Sequence, residues 1–181
     1  MGQFAVKLLM LVFLIGAVSP TPCGGAEQGL KTIGIRAGLS ATPKHEFFRQ
    51  YEAYAVYALP WDWRADSGLG VALQLNTAAG VLRGGGKYGF IGSIGPGLSI
   101  DKPGCGLSMD VGGSAAILSR RVFGSQDFNG MLQFMAHAGL NYRFDSGPGI
   151  SYRFQHMSNG HIYPGGNPGL DLHMVSLSWN F

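Results

Sequence analysis

The sequence predicts an all-β protein, an eight-stranded antiparallel transmembrane β-barrel, and three observations support this fold class. Charged residues make up only 13% of the 181 residues, about half the share that is usual in a soluble domain. Glycine is abundant, at 30 residues, and aromatic residues contribute 12%. After the N-terminal segment, no apolar run approaches the roughly 20 residues that a transmembrane helix needs. Few charges, many glycines and aromatics, and no spanning helix together favour a membrane barrel.

The N-terminal segment has the pattern of an export signal. One positive charge, Lys7, precedes an apolar core over residues 8–18, and a stretch of small residues ends at Ala26. This order of charge, apolar core and small residues is typical of a signal peptide and its cleavage site. We therefore predict a signal peptide over residues 1–26, cleaved after Ala26, and a single barrel domain over residues 27–181.

The remaining chain divides into eight segments in which apolar and polar residues alternate, separated by clusters of Gly, Pro, Asp and Asn. We place these segments at residues 32–41, 47–59, 68–82, 88–100, 107–119, 130–144, 149–159 and 170–181. In the sixth segment Leu132, Phe134 and Ala136 share one face, whereas Gln133 and His137 share the other. Such alternation predicts strands with an apolar face toward lipid and a polar face toward the lumen. The sheet must close, because an open edge in hydrocarbon would leave backbone amides unpaired.

The C-terminal segment indicates the membrane. Val175, Leu177, Trp179 and Phe181 share one face, and Phe181 is the last residue. A final strand with this alternation and a terminal Phe resembles the assembly signal of bacterial outer-membrane proteins. With an even number of strands, the N-terminus and the C-terminus of the barrel both lie on the periplasmic side. The loop at residues 160–169 is therefore predicted to be extracellular.

Charge and cysteine content exclude other classes of function. The formal net charge is only +3, which gives no indication of nucleic-acid binding. Cys105 is the only cysteine of the predicted mature chain, so no internal disulfide is expected. No zinc-ligand spacing and no phosphate-binding loop occurs. We predict neither a metal nor a cofactor.

The end of the seventh segment carries a candidate hydrolytic site. His156 and Ser158 are two residues apart, so on a strand they share a face, about 7 Å apart at the backbone. A serine beside an imidazole supplies a nucleophile and its base. Asp171 opens the neighbouring eighth segment and could orient the imidazole, the third role in a hydrolytic triad.

Alternation also predicts where this site points. His156 and Ser158 share the face of Tyr152 and Phe154, and Asp171 shares the face of the apolar C-terminal residues. All three candidates are therefore predicted to face lipid. A tilted strand of ten residues spans roughly the 25 Å apolar band of such barrels, which places Ser158 near the outer interface. Polar groups there are costly unless they are functional, so we predict an esterase that acts on outer-leaflet lipid.

Two stretches of the C-terminal region resemble a known family. They are residues 152–159, Tyr-Arg-Phe-Gln-His-Met-Ser-Asn, and residues 167–171, Asn-Pro-Gly-Leu-Asp. Both are similar to the signature of the lipid A 3-O-deacylase family, the PagL-type outer-membrane enzymes. The resemblance implies an eight-stranded barrel at the bacterial outer membrane that removes the 3-position acyl chain of lipid A in lipopolysaccharide, without a metal.

The same resemblance implies roles for individual residues. His156 would be the base, Ser158 the nucleophile and Asp171 the acid, while Asn159 and Gly160 would serve the oxyanion site. The best-known members have Glu where Asp171 stands, which is one methylene longer. The loop before Asp171 also is about one residue longer than in some members.

The sequence also allows other functions and other residue assignments. A non-enzymatic barrel for adhesion or membrane integrity would need no Ser-His-acid geometry, and a phospholipase or acyltransferase would share it. His173 shares the face of Asp171 and is the substitute if the base is wrongly assigned, whereas His161 is interpreted as a loop residue. A polar lumen network rather than a channel is expected from the side chains predicted to face inward: Arg36, Glu52, Asp110, His137, Arg143 and Arg153. The expected partners are lipid A and outer-membrane lipid, and the sequence leaves homodimer formation open.

Overall fold

The structure, a computed structural model, describes residues 28–42 and 45–181. The predicted signal peptide over residues 1–26 lies outside the described residues. Eight long strands and one short hairpin are present in the described part of the chain: β1 Gly29–Ser40, β2 Arg49–Arg64, β3 Gly70–Gly84, β4 Lys87–Asp101, β5 Leu107–Leu118, β6 Val122–Phe123, β7 Gln126–Asp127, β8 Leu132–Arg143, β9 Pro148–Ser158 and β10 Leu170–Asn180. Each of the eight predicted segments corresponds to one long strand.

The long strands form a closed barrel. Each pairs antiparallel with the next long strand along the chain, and β10 returns to pair with β1. The closing register runs from Thr32 opposite Asn180 to Ser40 opposite Leu172. Closure removes the sheet edge and lets the strands satisfy their backbone groups within the protein. The predicted fold class is therefore confirmed.

No helix among the described residues is long and apolar enough to cross a membrane.

Two local features differ from the prediction, and each has a physical reason. The second strand continues to Arg64, beyond its predicted end at residue 59. The predicted end was too early because the register of the strand with β3 shifts between Ala58 and Asp62. Pro60 lies within this irregularity, which is where a strand tolerates proline. The shift interrupts the alternation that marks a strand. The β6–β7 hairpin was not predicted, because two-residue strands are too short to show a period.

The two ends of the barrel carry different connections. Short turns and the start of β1 and end of β10 lie at one end, which we call the inner end. The opposite end, called the outer end, carries the connections over residues 85–86, 119–131 and 159–169 and the described residues 41–42 and 45–48 between β1 and β2. The candidate residues His156, Ser158 and Asp171 belong to the outer end.

The lumen contains a polar network that includes two ion pairs. Arg153 Nη2 donates to Asp110 Oδ2 at 2.8 Å, and His137 Nε2 lies 3.0 Å from the same oxygen. A second pair joins Arg36 Nε to Glu52 Oε1 at 2.9 Å. All five side chains are buried, as the alternation predicted. Opposite charges in direct contact offset part of the desolvation that burial imposes.

Arg143, the sixth side chain predicted to face inward, lies at the inner mouth of the lumen. It is exposed at the end of β8 and lines a cavity of about 150 Å³ that reaches Asp110 and Arg153. The buried polar network is therefore continuous with the cavity at the inner end of the barrel.

An apolar cluster fills the lumen at the outer end. The rings of Phe48, Phe123 and Phe128 lie with centroids 5.6–5.9 Å apart, and none is appreciably exposed. Met157 and Leu172 belong to the same cluster. These two residues are the inward-facing neighbours of His156 and Asp171 along β9 and β10. The apolar cluster thus supports the candidate site from behind.

We expect Asp110→Ala to lower the free energy of unfolding by about 3–5 kcal/mol, because it leaves two buried basic groups without their partner. The measurement is a urea titration of the folded barrel in detergent, followed by tryptophan fluorescence. The matched control is Asp101→Ala at the inner end, which breaks the exposed pair between Arg64 Nη2 and Asp101 Oδ1 at 3.0 Å. That change should cost at most about 1 kcal/mol. Equal losses in the two variants would show that the lumen network does not stabilise the barrel.

Candidate active site

His156 and Asp171 lie directly opposite each other on β9 and β10. Because paired residues of adjacent antiparallel strands point to the same face, both side chains project outward, on the face that also exposes Tyr152 and Val175. His156 Nδ1 lies 2.6 Å from Asp171 Oδ1. The sequence predicted that these two residues lie close together, and in the structure they form a hydrogen-bonded pair.

This hydrogen bond determines which imidazole nitrogen is left free. An ionised carboxylate can only accept hydrogen bonds, so Nδ1 of His156 carries the proton that Asp171 accepts. In the neutral ring Nε2 is then an acceptor. Among the described residues, Nε2 of His156 has no hydrogen-bond partner. A base for a hydroxyl proton requires this tautomer.

Ser158 is the last residue of β9 and lies two residues beyond His156 on the same face. Its side chain is largely covered, with 6% of the residue exposed, whereas 39% of the His156 side chain is exposed. Phe134 of β8 lies opposite Ser158. His156 and Ser158 share one face of β9, and no hydrogen bond joins their side chains. The site therefore consists of one formed pair and one adjacent hydroxyl.

A tight turn follows Ser158 immediately. Gly160 and His161 have φ angles of 62° and 65°, and the N–H of Ile162 donates to the carbonyl of Asn159 at 3.2 Å. Two consecutive positive φ values characterise a type I′ turn, which favours Asn and Gly at such positions. Asn159 Oδ1 accepts the N–H of His161 at 2.8 Å. The turn holds the backbone beyond Ser158 in one conformation.

Asn159 anchors the loop between β9 and β10. Its side chain is fully buried, and its Nδ2 donates to the carbonyls of Phe128 and Gly166 at 3.2 and 3.0 Å. Its backbone N–H donates to Asn167 Oδ1 at 2.9 Å. The donors of Asn159 are therefore already engaged within the loops.

Asn167 received no role from the sequence, although it belongs to the stretch that resembles the family signature. Because its Oδ1 accepts the Asn159 N–H, the orientation of its amide is fixed. Within the described chain, no hydrogen bond involves the Asn167 NH₂ group or the N–H of Gly160. The Gly160 N–H is a free donor close to Ser158 in sequence. The Asn167 NH₂ group is a free donor that the loop connects to Asn159, the residue after Ser158. Sequence spacing alone could not identify them, because the loop has no period.

Gly169 lies against the imidazole. A β-carbon built at Gly169 would lie 2.9 Å from His156 Cε1 and 3.7 Å from its Nε2. A side chain at this position would therefore push the ring away from its present place. The sequence had indicated only a flexible loop here, and the close approach is visible only in three dimensions.

His173 has a partner of its own. Its Nδ1 lies 2.6 Å from the Tyr152 hydroxyl, and its ring stacks on Tyr152 and meets Phe154 edge-on. Asp171 contacts His156 instead. Among the described residues, no group of three or more His, Cys, Asp or Glu side chains is arranged to hold a metal ion.

The closed eight-stranded barrel with a polar pair on its outward face defines a class, the outer-membrane barrel enzymes. The family model described as "Lipid A 3-O-deacylase (PagL)" matches residues 49–180. The chain therefore belongs to the lipid A 3-O-deacylase family of ester hydrolases and is a bacterial outer-membrane protein. The resemblance drawn from the sequence is confirmed.

Solved structures were compared as well. The crystal structure of the outer membrane enzyme PagL is 18% identical, covers 82% of this chain and 99% of its own, and has a TM-score of 0.69. Neisserial surface protein A is 11% identical over 87% of this chain and 99% of its own, with a TM-score of 0.47. The Yersinia pestis outer membrane protein Ail is 13% identical over 84% and 99%, also with a TM-score of 0.47. The first of these supports the barrel fold. No curated protein sequence gives a significant match.

We expect Gly169→Ala to lower deacylation by about tenfold or more, because a misplacement of about 1 Å at a catalytic group can cost up to 10²-fold. The measurement is the initial rate on purified lipid A in detergent. Gly92→Ala is the matched control, since its β-carbon would meet the Phe90 ring at 3.1 Å and Ile117 Cγ2 at 3.8 Å on the outward face of β4, away from the imidazole. Equal activity of the two folded variants would contradict a role for the Gly169 contact.

Proposed function

We propose that this protein removes the 3-O-linked acyl chain of lipid A with Ser158 as nucleophile, His156 as general base and Asp171 as orienting acid. Family membership supplies the substrate and the class of reaction. The residue assignment depends on one observation, the 2.6 Å contact between His156 Nδ1 and Asp171 Oδ1 beside Ser158 on the outward face. The alternative base, His173, is hydrogen-bonded to Tyr152 and not to Asp171, which supports the assignment of His156 as the base.

In the proposed reaction, the Ser158 oxygen attacks the carbonyl carbon of the ester while its proton passes to His156 Nε2. Asp171 stabilises the imidazolium that forms. The tetrahedral intermediate collapses when the ester C–O bond breaks, and His156 returns the proton to the departing sugar oxygen. Water then attacks the acyl-serine with His156 again as base, which releases the fatty acid and restores the Ser158 hydroxyl.

The developing oxyanion needs donors that are free to turn toward it. Asn159 and Gly160 are the donors suggested by the family resemblance. Because the donors of Asn159 are engaged with Phe128, Gly166 and Asn167, we propose that Asn159 acts by ordering the loop. The N–H of Gly160 and the NH₂ group of Asn167 would then contact the oxyanion.

The position of the site suits an ester at the surface of the outer leaflet. Ser158 ends β9 at the outer end, and the same face carries Phe154, Tyr152 and Ile150 at successive steps along the strand. Acyl chains would lie against this apolar face, while the sugar would remain near the loops. Lipid would thus reach the serine laterally from the membrane.

We expect Ser158→Ala and His156→Ala each to lower deacylation by about 10³-fold or more, with the double variant little worse than either, because members of a triad act as a unit. The measurement is mass spectrometry of lipid A, which reports how much of it has lost the acyl chain at the 3-position. Ser151→Ala is the matched control, since Ser151 on the same strand contacts Ser176 instead.

Two outcomes would contradict this assignment. One is near-full activity in a folded Ser158→Ala or His156→Ala protein. The other is loss of a phospholipid acyl chain with lipid A left intact, which would indicate a phospholipase. Folding of each variant is checked by heat-modifiable migration on gels, which a closed barrel should show.

We expect Asp171→Asn to lower the rate by about 10- to 10⁴-fold, less than loss of the nucleophile, because an orienting carboxylate contributes less than the groups that react. Asp171→Glu keeps the charge and should lose less than Asp171→Asn. Kinetics on purified lipid A measure both variants. Full activity of Asp171→Asn together with an inactive His173→Ala protein would require the base and acid to be reassigned.

A further inference from the structure

The described basic side chains of the outer end lie on one side of the barrel. Among the described residues they are Arg49, Arg83, Lys87, Arg120 and Arg121, which belong to β2, β3, β4 and the connection after β5. The described residues of β8, β9, β10 and the loop over residues 159–169 contribute no Lys or Arg at this end. The charge is therefore distributed unequally around the rim.

Arg49 and Arg83 form the centre of this basic side. They lie directly opposite each other on β2 and β3, and both are exposed on the outward face. Like charges in directly opposed positions destabilise a sheet. Within the described part of the chain, neither arginine forms an ion pair with an acidic side chain. This arrangement lacks the counterion that would offset the repulsion.

The nearby groups hold the guanidinium groups without neutralising them. Arg83 lies over the ring of Tyr88, 5.1 Å from its centroid, and Arg49 lies over Phe47 at 5.3 Å. Such cation–π contacts orient a guanidinium and leave its N–H donors available. Glu46 is an acid of the neighbouring loop, and its Oε1 accepts hydrogen bonds from the N–H and hydroxyl of Ser125, each at 2.9 Å.

Successive rows of outward side chains below the arginines are apolar. The first row holds Tyr51, Val81 and Phe90, paired across β2, β3 and β4 and all exposed. The next row holds Ala53, Ala79 and Gly92 in the same pairing. The small side chains of Ala53 and Ala79 leave room for an acyl chain below Tyr51 and Val81, whereas the Phe90 ring lies over Gly92. Two cations over an apolar surface complement a lipid with an anionic head.

This basic surface lies across the barrel from the candidate active site. In the closed order β3 and β9 are separated by the same number of strands in both directions. Arg83 on β3 and Ser158 on β9 are therefore on opposite sides. A lipid bound at the serine cannot reach the arginines with its phosphates around the barrel wall.

We propose that Arg49 and Arg83, with Tyr88 and the apolar rows beneath them, bind a second molecule of phosphorylated lipid A, distinct from the one that is hydrolysed. Guanidinium groups bind phosphate through paired N–H donors, and two adjacent arginines fit one phosphate-bearing head group. Its acyl chains would pack on Tyr51, Val81 and the small residues below. The proposal does not depend on which residues carry out hydrolysis.

The test uses the full folded protein in detergent and native mass spectrometry with 3-O-deacylated, bisphosphorylated lipid A, which the enzyme cannot hydrolyse further. We expect wild type to bind two lipids. The Arg49→Gln/Arg83→Gln variant should bind the second about tenfold or more weakly, because each arginine near an anionic head group contributes substantially. The matched control, Lys102→Gln/Arg143→Gln, removes two exposed charges at the inner end and should bind as wild type does.

Further arms identify the ligand. Dephosphorylated lipid A should lack the second binding event, and phosphatidylglycerol should bind there more weakly than lipid A. Deacylation in detergent should stay within about twofold in the arginine variant, because distant sites act independently. Wild-type binding by the arginine variant, or equal binding of dephosphorylated lipid A or phosphatidylglycerol, would overturn the proposal. A large loss of deacylation would also overturn it, by placing the arginines on the hydrolysed lipid.

Discussion

In hydrocarbon, every backbone N–H and C=O must be paired within the protein, and the barrel meets this requirement by closing β1 onto β10. Closure also fixes the register of every strand, and register decides which side chains meet. Asp171 lies opposite His156 only in the observed register. A slip of one residue would turn Asp171 into the lumen and bring Leu172 to the outside. The polar pair of the candidate site is thus a consequence of the backbone pairing.

Register is maintained by different chemistry in the two halves of the lumen. Toward the inner end, Asp110 and its basic partners resist a slip because any displacement would leave buried charges unpaired. Toward the outer end, three phenylalanine rings and the residues behind the site form one apolar cluster. Met157 and Leu172 connect this cluster to the site, since each alternates with a catalytic candidate along its strand. Packing inside the barrel therefore supports geometry outside it.

Much of this architecture could be predicted from the alternation, and the exceptions are instructive. Strand positions and faces follow from a period of two residues, so the outward placement of His156 and Asp171 was predictable. The extension of β2 was not, because the irregularity near Pro60 interrupts the period. The engaged donors of Asn159, the fixed amide of Asn167 and the contact of Gly169 with the imidazole all involve a loop. Loop contacts depend on tertiary packing and leave no periodic trace.

Pairing also explains how polar groups are tolerated on a face that meets lipid. His156 is hydrogen-bonded to Asp171, and farther toward the inner end Tyr152 is hydrogen-bonded to His173 diagonally across the two strands. An unpaired polar group at this depth is expensive, so each pair reduces the penalty that its members would otherwise impose. Among the described residues, the Ser158 hydroxyl and the Nε2 of His156 belong to the groups of the site that have no hydrogen-bond partner. In the proposed mechanism these are the two atoms between which the proton moves, so the fold pairs the groups that orient the imidazole and leaves unpaired the two that exchange the proton.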